Sequence, residues 1–445
     1  MNQKISLLFA LSLTLAGLAS AQDSTKATTD EKLTAVEGKV DGLNESYLET
    51  KGTVDKLAKI KVGGYIQAQY QHSDTNGGAA GAFAGGGFPG NTNQRLQLRR
   101  VRLKTTYDGG ATQYVMEFEA RPSGVALKDA EVIFKEPWMN TFSLDMGYMD
   151  RPFGFEIPYS SSAHEAPERT RVYQTVFKDE KDLGAMIAIN PTEKMGFLQF
   201  LNLKGGLYTG TSGYNGGTGD EIDSTMDIIG RLGFKAPFND MNLDIDGGVS
   251  FYAGSVLAVN DSLYQISGTA LVDSVGAFVK NKGKTFDRSV TGVDLQLYYT
   301  IPVIGDILGS TSIRGEYLSG TTIGTLANSM PYGAATAAMA ERNFMGWYVS
   351  WIQNFGSMFQ TVVKYDVYDP NTDVVGSDVG VAANGKLSSN DLMYSTLGLG
   401  AICYVGGNLK FTAYYDMITN EKASIGAFSK DLNDNVLTLR MQVKF

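Results

Sequence analysis

The sequence predicts an all-β chain: a sixteen-stranded antiparallel transmembrane β-barrel preceded by a short coiled-coil segment. Three observations carry this. From Lys61 onward, apolar and polar residues alternate with period two rather than 3.6. The alternating stretches are joined by short connections at one end and long ones at the other, the arrangement of membrane barrels. Gly makes up 52 of 445 residues, about 12% against a usual ~7%, and 23 Tyr contribute to 11% aromatics. That mixture suits many short strands and turns.

Composition excludes several classes. The single Cys, Cys403, can form neither an intramolecular disulfide nor a Cys-based metal site, and two His, His72 and His164, cannot build a multi-His centre. No cofactor or metal is expected. With 38 Lys+Arg against 47 Asp+Glu the net charge is −9, which argues against a nucleic-acid partner.

The elements follow in chain order. Residues 1–21 hold Lys4, an apolar stretch over 5–18 and Ala19-Ser20-Ala21, the pattern of a signal peptide cleaved before Gln22. The alternative is an uncleaved anchor, for which the stretch is short and rich in Ser, Thr and Gly. Beyond it no 18 consecutive apolar residues occur, so the exported chain spans a membrane only as a barrel, in the outer membrane of a Gram-negative cell.

Residues 22–60 form a periplasmic linker with heptads. Leu33, Val36, Val40, Leu43, Tyr47, Val54 and Leu57, with Thr50 in the gap, make an a/d seam. Gly38, Gly42 and Gly52 each weaken the helix by about 1 kcal/mol relative to Ala. Copies of the chain would bury the seam; the other reading is a polar linker.

The barrel domain spans 61–445. Strands are expected near 61–71, 95–107, 111–120, 126–136, 140–149, 182–190, 197–208, 225–235, 241–252, 289–300, 309–318, 343–353, 357–368, 391–404, 407–417 and 435–445. Connections after even-numbered strands are tight, such as Asp108-Gly109-Gly110. Those after odd-numbered strands are long and polar, except 121–125. Both termini then lie at the short-turn, periplasmic end. In 435–445, Leu437, Leu439, Met441, Val443 and Phe445 share one face, and a terminal aromatic on such a strand resembles the assembly signal of outer-membrane proteins. Tyr107, Trp138, Tyr148, Tyr298, Tyr299, Phe355, Phe359, Tyr365 and Tyr368 suit interfacial girdles.

Alternation also assigns the lumen. With Val101, Leu103 and Thr105 toward lipid, Arg100, Arg102 and Lys104 face inward; the opposite register would put three cations into hydrocarbon at ~2–4 kcal/mol each. The same logic turns Arg231, Lys235, Arg314, Lys364, Lys410 and Arg440 inward, opposite acids such as Glu117, Glu119, Asp129, Glu131, Asp246, Asp294 and Glu316. In the third loop, Arg151, Arg169, Arg171, Lys178 and Lys181 balance Glu156, Glu165, Glu168, Asp179 and Glu180. Two readings of the basic row stay open. It guides anions, or it pairs with Glu117 and Glu119 and braces the wall.

Other chemistry is thin. Asp369, Asn371 and Asp373 have calcium-loop spacing, but Pro370 and Val374 spoil it, leaving a solvated acidic loop. His164 beside Glu165 reads as a satisfied loop pair, Cys403 as a lipid-facing residue, and Gly-rich 76–90 as a flexible external loop.

Leu98-Arg99-Arg100-Val101-Arg102-Leu103 resembles the Arg-Arg-x-Arg-Leu signature of the phosphate-selective porin O and P family. The order of later features, Leu127-Lys128-Asp129-Ala130-Glu131-Val132, then Met146 to Gly154, then Glu165 to Tyr173, is similar too. The resemblance implies a trimeric channel whose third loop, 150–181, folds inward and narrows the pore. Arg151, Glu165, Glu168, Arg169 and Arg171 would then form the constriction. Arg100, Arg102, Lys104, Glu117, Glu119, Arg231, Lys235 and Arg314 would line the pore. The expected function is a passive path for small hydrophilic solutes or ions, anions such as phosphate among them. The rival is a barrel enzyme or adhesin; two His in loops argue against a His-based triad and leave a carboxylate site open.

Overall fold

The computed structural model describes residues 28–77, 83–122, 124–177, 179–211, 223–273, 280–301, 307–326 and 338–445. The expected signal peptide and Lys178 lie outside them. The chain divides into two units, 1–59 and 60–445.

The first unit is a helix, Thr29–Leu57. A capping box starts it: the Thr28 hydroxyl accepts from the Glu31 N–H (3.4 Å) and the Glu31 carboxylate accepts from the Thr28 N–H (2.8 Å). Asp30 and Glu31 in the first turn and Lys56 in the last suit the helix dipole. Every residue of this helix is exposed, the apolar seam included, so the single chain gives the seam nothing to pack on.

The second unit is a closed barrel. Its sixteen strands are β1 (Ile60–Ser73), β2 (Gln94–Asp108), β3 (Thr112–Arg121), β4 (Gly124–Lys135), β5 (Phe142–Asp150), β6 (Lys181–Ile189), β7 (Leu201–Tyr208), β8 (Asp227–Phe238), β9 (Leu243–Leu257), β12 (Thr285–Tyr299), β13 (Thr311–Thr325), β14 (Met339–Phe355), β15 (Phe359–Asp369), β16 (Tyr394–Val405), β17 (Leu409–Asn420) and β18 (Val436–Lys444). Each pairs antiparallel with the next around the ring. Two further strands, β10 (Leu263–Ser267) and β11 (Ala270–Asp273), form a hairpin inside the long connection after β9, which alternation did not reveal.

Strand β18 closes the ring on β1, from Tyr65↔Lys444 to Ser73↔Val436, so no edge is left open. Phe445 extends the seam: its N–H donates to the Gly64 carbonyl and its own carbonyl accepts from the Gly64 N–H, both at 3.0 Å. Gly64 is required there, because a Cβ would run into the Arg102 carbonyl and the Phe445 ring. Removing Phe445 strips these two bonds from the pair of strands that closes the ring. The truncated chain is expected to give much less heat-modifiable, membrane-inserted barrel. Normal insertion would show that neither seam nor assembly depends on it.

Outward residues form an apolar belt, for example Val293 and Leu295 on β12, Phe411 on β17 and Leu439 and Met441 on β18. Trp138, Tyr299, Phe355, Phe359 and Tyr365 are exposed on this outer face, as a girdle requires. Three of the expected girdle aromatics are not there. Tyr298 and Tyr368 fall on the inward parity of β12 and β15, and Tyr148 is buried with its hydroxyl 3.4 Å from Asp179. Proximity to a strand end was the sequence criterion; parity overrides it for Tyr298 and Tyr368, and contact with the loop residue Asp179 does so for Tyr148.

At the long-loop end, the β10–β11 hairpin and the connections after β15 and β17 pack together through Leu271, Val374, Val379, Leu387, Leu392 and Ala423. The first long loop is not simply a flexible external strap: Ala84 and Phe88 are buried against Ile418 and Val436, and Phe83 lies over Arg171. Its few aromatics find an apolar seat, which its glycines concealed.

Candidate constriction in the barrel lumen

The connection between β5 and β6 turns into the barrel. Its apolar side chains Phe153, Ile157, Val172, Tyr173, Val176 and Phe177, all within 3% of full burial, meet inward residues of β8, β9 and β12–β14, among them Ile229, Tyr252, Val290, Leu318, Phe344 and Tyr348. Six such side chains contribute on the order of 10 kcal/mol, enough to hold the segment against the wall. A one-and-a-half-turn helix, Arg171–Val176, carries three of them, and Phe177 caps it.

Carboxylates fix the polar side. Glu316 on β13 accepts from the backbone N–H groups of Phe155 and Glu156 (3.0 Å to the latter) and from the hydroxyls of Tyr173 (3.0 Å) and Tyr348 (2.8 Å). Glu156 of the loop in turn takes the Thr170 N–H and hydroxyl and the Lys364 ammonium (3.2 Å). Glu165 pairs with Arg314 (3.1 Å), and Lys410 donates to the His164 carbonyl (2.6 Å). His164 itself meets the Tyr159 carbonyl (2.9 Å) rather than Glu165. Burial, then the charges of Arg169 and Arg100, push its imidazole well below the ordinary value, so it stays neutral.

Glu168 is the tightest of these contacts. Arg99 grips it with two donors at 2.7 Å, Arg100 at 2.8 Å and Arg440 at 2.8 Å, so three guanidiniums converge on one carboxylate. Burial pushes this carboxyl up, but Arg100, Arg99 and Arg440 outweigh it and hold it well below the usual range. Strict alternation would send Arg99 outward. A β-bulge opposite Gln67 and Ala68 makes Arg99 the extra residue of β2, which turns it inward beside Arg100. A second bulge, opposite Glu117 and Phe118, does the same for Lys128 on β4, whose ammonium reaches Asp179 of the loop at 3.4 Å.

The rest of the basic row is also paired. Arg102 contacts Glu119 (2.8 Å), Glu117 (3.0 Å) and the loop's Glu180 (3.5 Å); Lys104 contacts Asp129 (3.2 Å). Arg121 adds a contact to Glu119. Arg151 is fully buried on Asp182 (3.1 Å). Arg169 closes the loop on itself by donating to the carbonyls of Glu156, Ile157 and Tyr159. Arg171 is sandwiched between the rings of Phe83 and Tyr394, at 4.2 and 4.1 Å. Sequence reasoning placed Glu316 and Arg440 inside without giving them a role, and it missed Arg99. Only the path of the loop supplies their partners.

What the loop leaves open lies on the far side. A cavity of about 640 Å³ runs between its first residues, 151–158, and the wall from β4 to β12. Arg231 and Lys235 line it, whereas Arg314 stands behind the loop.

No protein-family model matches the sequence, and no curated protein matches it either. Solved structures do resemble the fold. A structure of OprB from Pseudomonas putida, determined at high pH, aligns with a TM-score of 0.55 at 10% identity, covering 89% of this chain and 96% of that one. An anion-selective porin from Comamonas acidovorans aligns with a TM-score of 0.51 at 12% identity, covering 87% of this chain and 99% of that one. At such identities the likeness is one of architecture: this chain has the barrel fold that those proteins have.

Proposed function

We propose that the protein is an outer-membrane porin, a passive water-filled channel for small hydrophilic solutes or ions, with loop 150–181 narrowing the passage. The observation that carries this is the combination of an apolar outer belt, a sealed ring and a polar cavity left beside an inward-folded loop. Membrane lipid covers the belt, and a signal peptide cut before Gln22 delivers the chain.

Of the two readings of Arg100, Arg102 and Lys104, the geometry supports bracing. Each cation stands on a carboxylate, and two of them hold the loop. A strongly anion-selective or phosphate-selective pore therefore lacks a bare cationic row here, although the order of motifs resembles the phosphate-selective family. The barrel-enzyme alternative is not favoured: His164 meets a carbonyl and a stacked Tyr159 ring, and His72, expected in a loop, lies on β1 between β2 and β18.

The exposed seam of the Thr29–Leu57 helix fits a homotrimer in which three copies bury it. Purified protein in planar bilayers should give conductance steps that arrive in threes. Deleting 29–57 should leave the size of a single step and loosen the grouping. Absence of any step would overturn the channel reading, while unaltered grouping would assign the trimer to barrel contacts alone.

A further inference from the structure

Many lumenal charges are neutralised at close range, and a group of those that are not stands together at the open cavity. At the open cavity, Asp150 is committed to Lys181 (2.8 Å), Arg151 to Asp182 (3.1 Å) and Arg231 to Asp294 (2.6 Å). Glu131, Asp145, Lys204, Lys235 and Asp246 also line it, and among the described residues none of the five has an ion-pair partner.

Their order around the wall is not random. Glu131 and Asp145 sit on β4 and β5, Lys204 and Lys235 on β7 and β8. Between the two groups runs β6, whose Met186 pairs in register with Asp145 and whose Ala188 pairs with Lys204; both are buried and apolar. Two strand spacings and a two-residue offset put the backbones of Asp145 and Lys204 about 12 Å apart. The long Lys204 side chain narrows this gap without closing it. Asp246, opposite Lys235 in register, keeps the basic patch from dominating the cavity.

A simple anion drawn to Lys204 and Lys235 meets three carboxylates in the same space, and a simple cation meets the reverse. A solute with both charges, held several ångströms apart, satisfies both patches at once. We propose that this passage favours small zwitterions with separated ends, of which short unblocked peptides are the fitting class. An extended dipeptide spans about 7 Å, the right scale to bridge the gap between the charges. This assignment rests on the channel reading above.

The test uses the full chain in liposomes and four probes of similar size: glycylglycine (zwitterion), N-acetylglycinamide (neutral), N-acetylglycine (anion) and glycylglycinamide (cation). Glycylglycine should enter about fivefold faster than the neutral probe, the gain that two screened ion contacts supply. In variants whose heat-modifiable migration shows an assembled barrel, the Lys204→Gln, Lys235→Gln pair should abolish this preference and slow the anion. The Glu131→Gln, Asp145→Asn pair should abolish it and speed the anion. If all four probes pass and glycylglycine has no advantage over the neutral probe, the zwitterion assignment is wrong and the channel stands. If none passes, the channel reading itself fails.

Discussion

Replacing Glu168 by Gln should open the channel and swing it toward anions. The carboxylate is the one counter-charge shared by Arg99, Arg100 and Arg440, and all four side chains are largely buried. Breaking such a buried contact costs about 3–5 kcal/mol, because the charges left behind stay desolvated. The arginines can relieve this only by letting water in, so the 165–169 segment should leave the β1–β2–β18 wall. Conductance should rise, and the reversal potential in a salt gradient should move toward anion preference. The remaining apolar anchors, Phe153 to Phe177, keep the rest of the loop in place. The wild-type latch should not be released by mild acid. The folded carboxyl lies below its ordinary value, so its contribution is complete above the unfolded value of ~4.3 and is lost only as pH falls through the folded one. Conductance of the wild type should therefore be flat from about pH 8 to 5 as far as this contact decides it. An unchanged reversal potential in the variant would show that the three arginines do not face the passage.

The opposite sign is expected of Arg102→Gln. Arg102 on β2 stands between Glu117 and Glu119 of β3 and Glu180 of the loop. Its loss leaves Glu119 with Arg121, Glu117 with Lys104 at 3.9 Å and Glu180 with Arg169 at 3.7 Å. The cost is again about 3–5 kcal/mol. The barrel in detergent should unfold at a lower temperature, and the reversal potential should shift toward cations. Arg102→Lys should recover the sign of the field but little of the stability, since an ammonium cannot match the fork that joins β3 to the loop. If Arg102→Gln lowers the melting transition and leaves selectivity untouched, the residue braces the wall and is screened from the pore.

The two substitutions test one idea from both sides. Much of the lumenal charge here is taken up in loop-to-wall contacts, and in the passage proposed above selectivity belongs to charges the loop does not take up.

Much of the barrel was legible because a membrane barrel obeys a strict rule. Period-two alternation must put apolar residues outward, and any cation on the wrong parity is costly, so Arg100, Arg102, Glu117 and Glu119 could be assigned inward from the sequence. Alternating short and long connections counted the strands, and 435–445 announced the closing strand. The rule fails where a residue is inserted into the ladder. Arg99 and Lys128 sit at bulges, which no local pattern marks, and each is thereby aimed at the loop. It also says nothing about partners across the lumen. Glu168 and Arg440 are 272 positions apart, and Glu316 and Phe155 are 161 apart.

By itself, then, the sequence determined the strands, their number, the inward and outward faces and the residue types in the lumen, because each follows from local periodicity against a two-sided environment. Only the tertiary structure decided where the 151–180 loop lies, which charges it neutralises and which it leaves without an ion pair at the open cavity. The reason is physical: an ion pair depends on distances of 3–4 Å between segments far apart in the chain, and those distances exist only once the ring has closed around the loop.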